Sequence, residues 1–284
     1  MTLLLLAGLN LLNAVQKPIV SFPIQPSGEL FVGKYFPNDT GPKAKLYNID
    51  VGIEISTDLI DVAGQRFFIS YRDELISGND FAANVAFDPR MAHFYLIGGF
   101  RFNILDKANL ALYLNHDCTH NIDRRPDSFK VVFNRVTVAA GTPGAFNNAN
   151  LRKIFETTWP ERLNAKLTYE WYPHDTLIDA LNSTDLYHAF QLDASYDQPI
   201  YKNIYASARI YGYLTRIKPK PGTPADSMYT PFWGYKFTPQ IGVGVLRPKG
   251  ALELYLRYWA LADVGDIGFH EPGHWPYLGL HLRF

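Results

Sequence analysis

The sequence predicts an all-β chain that spans a membrane as a closed, antiparallel, up-and-down transmembrane β-barrel of about twelve strands. Three observations predict it. Apolar and polar residues alternate with period two through nearly every segment. The alternating runs reach about nine to fourteen residues, the length a tilted strand needs to cross hydrocarbon, where soluble strands average about five or six. The last residues, Tyr277 to Phe284, alternate and stop on an aromatic ring. Strands that face lipid must close on themselves, because hydrocarbon offers no partner to an unpaired edge.

Composition narrows the class. Of 284 residues, 47% are hydrophobic and 15% aromatic, and 27 basic residues balance 27 acidic ones. Zero net charge argues against a nucleic-acid partner, and the 18 Tyr, 19 Phe and 5 Trp suit two membrane–water interfaces. No apolar run reaches the eighteen or so residues of a spanning helix. The longest, Leu3 to Val15, has the length of a signal-peptide core, with Leu12-Asn13-Ala14 near a cleavage point but no basic residue before it. Residues 1–16 are therefore read as an export segment and 17–284 as one barrel destined for the bacterial outer membrane. The competing reading of the first segment is an apolar plug or strand. Cys118 is the only cysteine, which excludes an internal disulfide.

The strands are expected at 29–36, 43–57, 65–73, 92–104, 108–120, 128–139, 161–173, 186–197, 203–217, 235–247, 251–263 and 274–284. The first is the weakest. In the second, Tyr47, Ile49, Val51, Ile53 and Ile55 oppose Asn48, Asp50, Gly52, Glu54 and Ser56; in the third, Phe67, Ile69 and Tyr71 oppose Arg66, Ser70 and Arg72. Leu163, Ala165, Leu167, Tyr169 and Trp171 oppose Asn164, Lys166, Thr168 and Glu170, and Phe190, Leu192 and Ala194 oppose Gln191, Asp193 and Ser195. Gly242 and Gly244, alternating with Ile241 and Val243, make room inside the barrel. Leu252, Leu254, Leu256 and Tyr258 face away from Glu253 and Arg257.

The links 74–91, 174–185, 218–234 and 264–273 are long and 105–107, 198–202 and 248–250 short, the asymmetry of outer loops and periplasmic turns. The link 140–160 departs from it and is expected to hold a short helix around Asn150 to Glu156. The polar parity carries charges of both signs, among them Asp50, Glu54, Arg66, Arg72, Arg101, Arg135, Lys166, Glu170, Asp193, Arg209, Glu253, Arg257 and Arg283. Buried ions are tolerated when paired, so a narrow, filled barrel is expected rather than a wide pore.

Residues 110–123, LALYLNHDCTHNID, are the most unusual stretch. Leu110, Leu112 and Leu114 set the lipid-facing parity, and His116, Cys118 and His120 continue it. A histidine and a thiol two apart on a strand project side by side, as a base and a nucleophile require. A loop centred on Arg125 and Pro126 brings Asn134 across from His116, where its amide would hold the ring in one tautomer. Two other readings stand beside this one. The histidines could be interfacial polar residues with Cys118 a small filler, or His116, His120 and Asp123 could hold a metal. His270, Glu271 and His274 have the wrong spacing for a helical zinc motif, and Pro272 and Gly273 mark a loop.

Asn115-His116-Asp117-Cys118 followed by Phe133-Asn134-Arg135 resembles the outer-membrane phospholipase A family, with its lipid-exposed His-x-Ser on one strand and Asn-Arg on the next. The stretch is also similar to a group of bacterial barrel proteins bearing His-x-Ser-x-His-x-x-Asp, for which His116, Cys118, His120 and Asp123 are the counterparts. Lipid A deacylases share the His-x-Ser pair, but no acidic residue here completes their triad. The resemblance covers about 25 residues plus the twelve-strand architecture expected of such barrels. It implies acyl hydrolysis of membrane lipid, with His116, Cys118 and Asn134 catalytic, together with calcium and a homodimer; the terminal segment Tyr277 to Phe284 separately resembles an insertion signal, which implies the outer-membrane insertion machinery as a partner. The chain departs from the family in carrying Cys118 where the family uses serine. The alternative is a non-catalytic barrel serving as scaffold, receptor or narrow pore.

Overall fold

A computed structural model describes residues 20–36, 47–80, 85–121, 130–146, 154–159, 161–173, 185–218, 232–262 and 273–284. The strands are β1 (Val20–Ser21), β2 (Gln25–Tyr35), β3 (Ile49–Val62), β4 (Gln65–Asp80), β5 (Val85–Leu105), β6 (Ala108–Asn121), β7 (Lys130–Gly141), β8 (Leu163–Trp171), β9 (Asp185–Tyr201), β10 (Ile204–Lys218), β11 (Phe232–Arg247), β12 (Gly250–Ala262) and β13 (Gly273–Arg283). From β2 onward each pairs antiparallel with its sequence neighbour, and β13 pairs back onto β2, so twelve strands close a barrel. β1 only extends the pairing of β3 beyond the reach of β2. The export segment and Asp123 lie outside the described residues.

The weakest expected strand is thus the one that closes the barrel. β2 meets β13 from Tyr277↔Tyr35 to Arg283↔Glu29. Gly33 belongs there because the Tyr277 ring lies across it: a Cβ on Gly33 would fall 2.0 Å from that ring. Tyr205 covers Gly244 in the same manner, so the room made by a strand glycine is filled by a neighbour's tyrosine.

Burial follows the alternation. Glu253 is fully buried, while Leu254 and Leu256 on the same strand are each 56% exposed and Ile241 opposite is 64% exposed. The apolar row therefore faces outward, as it does in a barrel whose outer solvent is lipid.

The structure corrects the expected link 74–91. β4 and β5 run on as a paired ribbon to Asp80 and Val85, with bulges between Ile76 and Ser77 and between Gly78 and Asp80. Above the bilayer the backbone still needs partners, but the side chains no longer need to alternate, so the sequence signal fades before the strand does. At the opposite end, turns of two residues join β3 to β4, β5 to β6, β9 to β10 and β11 to β12. Ala63 and Gly64 both have positive φ, 51° and 86°, the conformation of a tight hairpin that matches strand twist. These short turns mark the periplasmic end.

The link after β7 enters that end. Among its described residues it holds a 3₁₀ turn at Pro143–Phe146 rather than a helix, and residues 147–153 lie outside the description. Phe146 sits against the Arg101 guanidinium, 5.5 Å from ring centre to charge, and Ile154 packs on Tyr205 and Ala251.

The interior is crossed by ion pairs. Arg66 meets Asp58 and Asp61, Arg72 meets Glu54 and Glu74, Lys166 meets Asp193, and Arg283 meets Asp197 and Glu253. What remains open is an irregular cavity of about 440 Å³ lined by charges of both signs, including Glu29, Arg72 and Arg209.

Candidate functional site

The site residues lie on β6 and β7, towards the long-loop end. In the β6–β7 register His116 faces Asn134 and Cys118 faces Val132; on the other side β5 places Leu96 beside His116 and Phe94 beside Cys118. His116, Cys118, His120 and Asn134 all project outward, because they share parity with Leu112, Leu114 and Val138, which are exposed. The pairing of positions 116 and 134 is what a loop centred on Arg125 requires.

The His116 ring and the Asn134 amide are bonded, Nδ1 to Oδ1, at 2.7 Å. An amide oxygen only accepts, so in this arrangement Nδ1 carries the proton and Nε2 keeps its lone pair. That is the tautomer of a general base.

Cys118 departs from the expected geometry. Its Sγ lies 2.6 Å from Nε2 of His120, two residues further along, and the side chain is 4% exposed. The His120 ring meets Phe94 edge-on at 5.6 Å. A strand side chain leans along the strand, in one rotamer towards residue i+2 and in another towards i−2. Cys118 thus stands between two imidazoles, leaning here on His120.

Behind this outward set lies a buried inward one that the sequence reading missed in part. Asp117, between His116 and Cys118 in the chain, bonds to His93 Nε2 from β5 and accepts from Arg135 Nη1 at 3.0 Å. Arg135 Nε reaches Glu170 at 3.0 Å, and the Tyr172 hydroxyl donates to Glu170 at 3.2 Å. Arg135 and Glu170 are legible as interior charges; His93 is not, because it meets Asp117 diagonally across the β5–β6 hairpin rather than as its register partner.

Of the residues in the metal reading, His116 and His120 lie on the outward face and Asp123 lies outside the described residues. The described outward neighbours Phe94, Leu96, Val132 and Val136 offer no side-chain oxygen, and Asn134 Oδ1 is engaged by His116. Among the described residues no three His, Cys, Asp or Glu side chains gather as a metal site. They do not fit a calcium ion, which takes several oxygen ligands, and no step below passes through one.

Similarity to solved structures follows the fold. Outer membrane phospholipase A from Escherichia coli matches with a TM-score of 0.50 at 12% identity, over 93% of this chain and 98% of that one. The fold is that of an outer-membrane β-barrel. Its twelve strands, lipid-facing apolar row and short periplasmic turns place the chain in the bacterial outer membrane. The dimeric Salmonella typhi outer membrane phospholipase with bound calcium matches with a TM-score of 0.49 at 12% identity, over 96% of each chain. LpxR from Salmonella typhimurium matches with 0.42 at 8%, over 91% of this chain and 99% of that one. No family model and no curated protein matches the sequence.

Proposed function

We propose that this outer-membrane barrel is a lipid-facing acyl hydrolase of the phospholipase A kind. One observation carries the reading: the His116–Asn134 bond at 2.7 Å, on the outer wall and two residues from a thiol. On the lipid face such a pair lies within reach of membrane ester carbonyls.

In this mechanism Cys118 swings from its resting contact with His120 towards His116. His116 Nε2 takes the thiol proton while Asn134 holds Nδ1–H, and the thiolate attacks an acyl carbonyl. The tetrahedral adduct collapses, the C–O ester bond breaks, and the imidazolium returns its proton to the departing lysolipid oxygen. Water, deprotonated by the same imidazole, then attacks the thioester; fatty acid leaves and the thiol is restored. Membrane lipids are the substrate partners. The homodimer and calcium belong to the resemblance and enter no step.

Purified protein in mixed micelles with fluorescently labelled phospholipid tests this, with and without calcium. Wild type is expected to release fatty acid and Cys118→Ala none; absent release, or equal release by the variant, overturns it. The reading then passes to a non-catalytic barrel. Its support is the interior crossed by Arg72, Arg135 and Arg283 ion pairs, which favours a scaffold over a pore.

A further inference from the structure

The outer wall of a membrane barrel is apolar by necessity, and each charge on it costs more the deeper it lies. Among the described strand residues, the outward row nearer the long loops carries Lys34, His188, Arg216 and His274 beside the site's own imidazoles, and its one unpaired carboxylate is Asp73. The row thus carries two fixed cations, Lys34 and Arg216, among its imidazoles where outer-leaflet headgroups lie.

Arg216 is the best defined of these. In register it lies between His188 on β9 and Trp233 on β11, and its guanidinium stacks over the Trp233 ring at 5.7 Å. Inside the barrel, Arg72, Arg135 and Arg283 each meet a carboxylate. Arg216, on the lipid face, meets none among the described residues. His188 shares a 2.7 Å hydrogen bond with the Tyr169 hydroxyl through Nδ1, which commits one ring nitrogen and leaves Nε2 for another partner. Trp171 stands across from His188 on β8. A guanidinium and an imidazole side by side, framed by two tryptophans at interface depth, match a phosphate attached to an amphipathic backbone.

We infer that Arg216 and His188 bind the phosphate of an anionic outer-leaflet lipid, with Trp233 and Trp171 seating the groups that join the phosphate to its acyl chains. The guanidinium donates two parallel N–H groups to phosphate oxygens, the geometry that fixes an anion rather than merely attracting it. Lys34 and His274, elsewhere on the rim, raise the local concentration of such lipids. The inference is independent of ester hydrolysis.

The test uses full-length protein in nanodiscs of phosphatidylcholine with a minor fraction of phosphatidylglycerol, released into native mass spectrometry to count retained lipids. Wild type is expected to hold phosphatidylglycerol about tenfold above its share of the bilayer, Arg216→Gln and His188→Gln to fall close to that share, and Arg216→Lys to keep part of the enrichment. Heat-modified electrophoretic mobility shows that each variant is folded, and the two glutamine variants give independent readouts should one fail. Unchanged enrichment in both, equal retention of the two lipids by wild type, or displacement by inorganic phosphate alone overturns the proposal.

Discussion

Arg135 donates from Nη1 to Asp117 Oδ2 at 3.0 Å inside the barrel, and each of the two is one residue from a partner in the His116–Asn134 bond outside it. Period-two geometry makes this consequential. A slip of one residue between β6 and β7 would break the inner ion pair and the outer hydrogen bond together and turn His116 inward. The inner wall therefore sets the register in which the outer one works.

Asp117→Asn leaves Arg135 with Glu170 as its remaining carboxylate and weakens the bond to His93. Removing one partner of a buried pair costs about 3–5 kcal/mol. The urea midpoint of the heat-modifiable, folded band is expected to fall, and the double swap Asp117→Arg with Arg135→Asp to recover part of it.

The two imidazoles beside Cys118 are expected to separate in kinetics. His116→Asn should lower the rate of fatty acid release about 10²–10⁴-fold, as loss of a general base does. Asn134→Ala should lower kcat with little change in KM. His120→Ala should lower the rate far less, because its contact holds the resting thiol rather than the reacting one. The rates of labelled fatty acid release decide this.

Gly244→Val places a side chain where the Tyr205 ring lies, since even a Cβ there falls 2.3 Å from it. Tyr205 also donates to buried Glu253 at 3.0 Å, so the ring cannot move without disturbing that bond. Overpacking of this kind costs about 1–3 kcal/mol, read as a lower urea midpoint; Ile241→Val, on the lipid face of the same strand, is expected to leave it unchanged.

Leu256 lies on the lipid face near the middle of β12, flanked in register by Ile241 and Leu278. Leu256→Arg is expected to destabilise the barrel by about 2–4 kcal/mol in bilayers. An equal substitution cost in detergent and bilayer would oppose the membrane-facing assignment of that row.

Among the described residues, ion pairs cross the interior and Phe146 and Ile154 pack at the periplasmic end. Planar-bilayer recording of the purified protein is expected to show no steady conductance. A stable open level would assign the chain to the pores.

Much of this was legible in the residues themselves. The alternation in Leu252 to Tyr258 or Leu163 to Trp171 states which side meets lipid, because a strand has only two faces and lipid accepts only one kind of side chain. The spacing of His116 and Asn134 about Arg125 predicts their pairing, since an antiparallel hairpin counts residues equally from its turn. Three things waited for the tertiary structure. The closure of β2 on β13 joins residues some 250 positions apart, and no local pattern reports it. The lean of Cys118 towards His120 is a choice of rotamer, which strand parity alone leaves open. The partnership of His93 with Asp117 is a diagonal contact across the β5–β6 hairpin, where the register pairs Asp117 with Tyr95 and only the side-chain rotamers bring it to His93. Sequence periodicity determines which face a side chain takes; which neighbour it meets there is decided by strand order and register, properties of the closed sheet rather than of any segment.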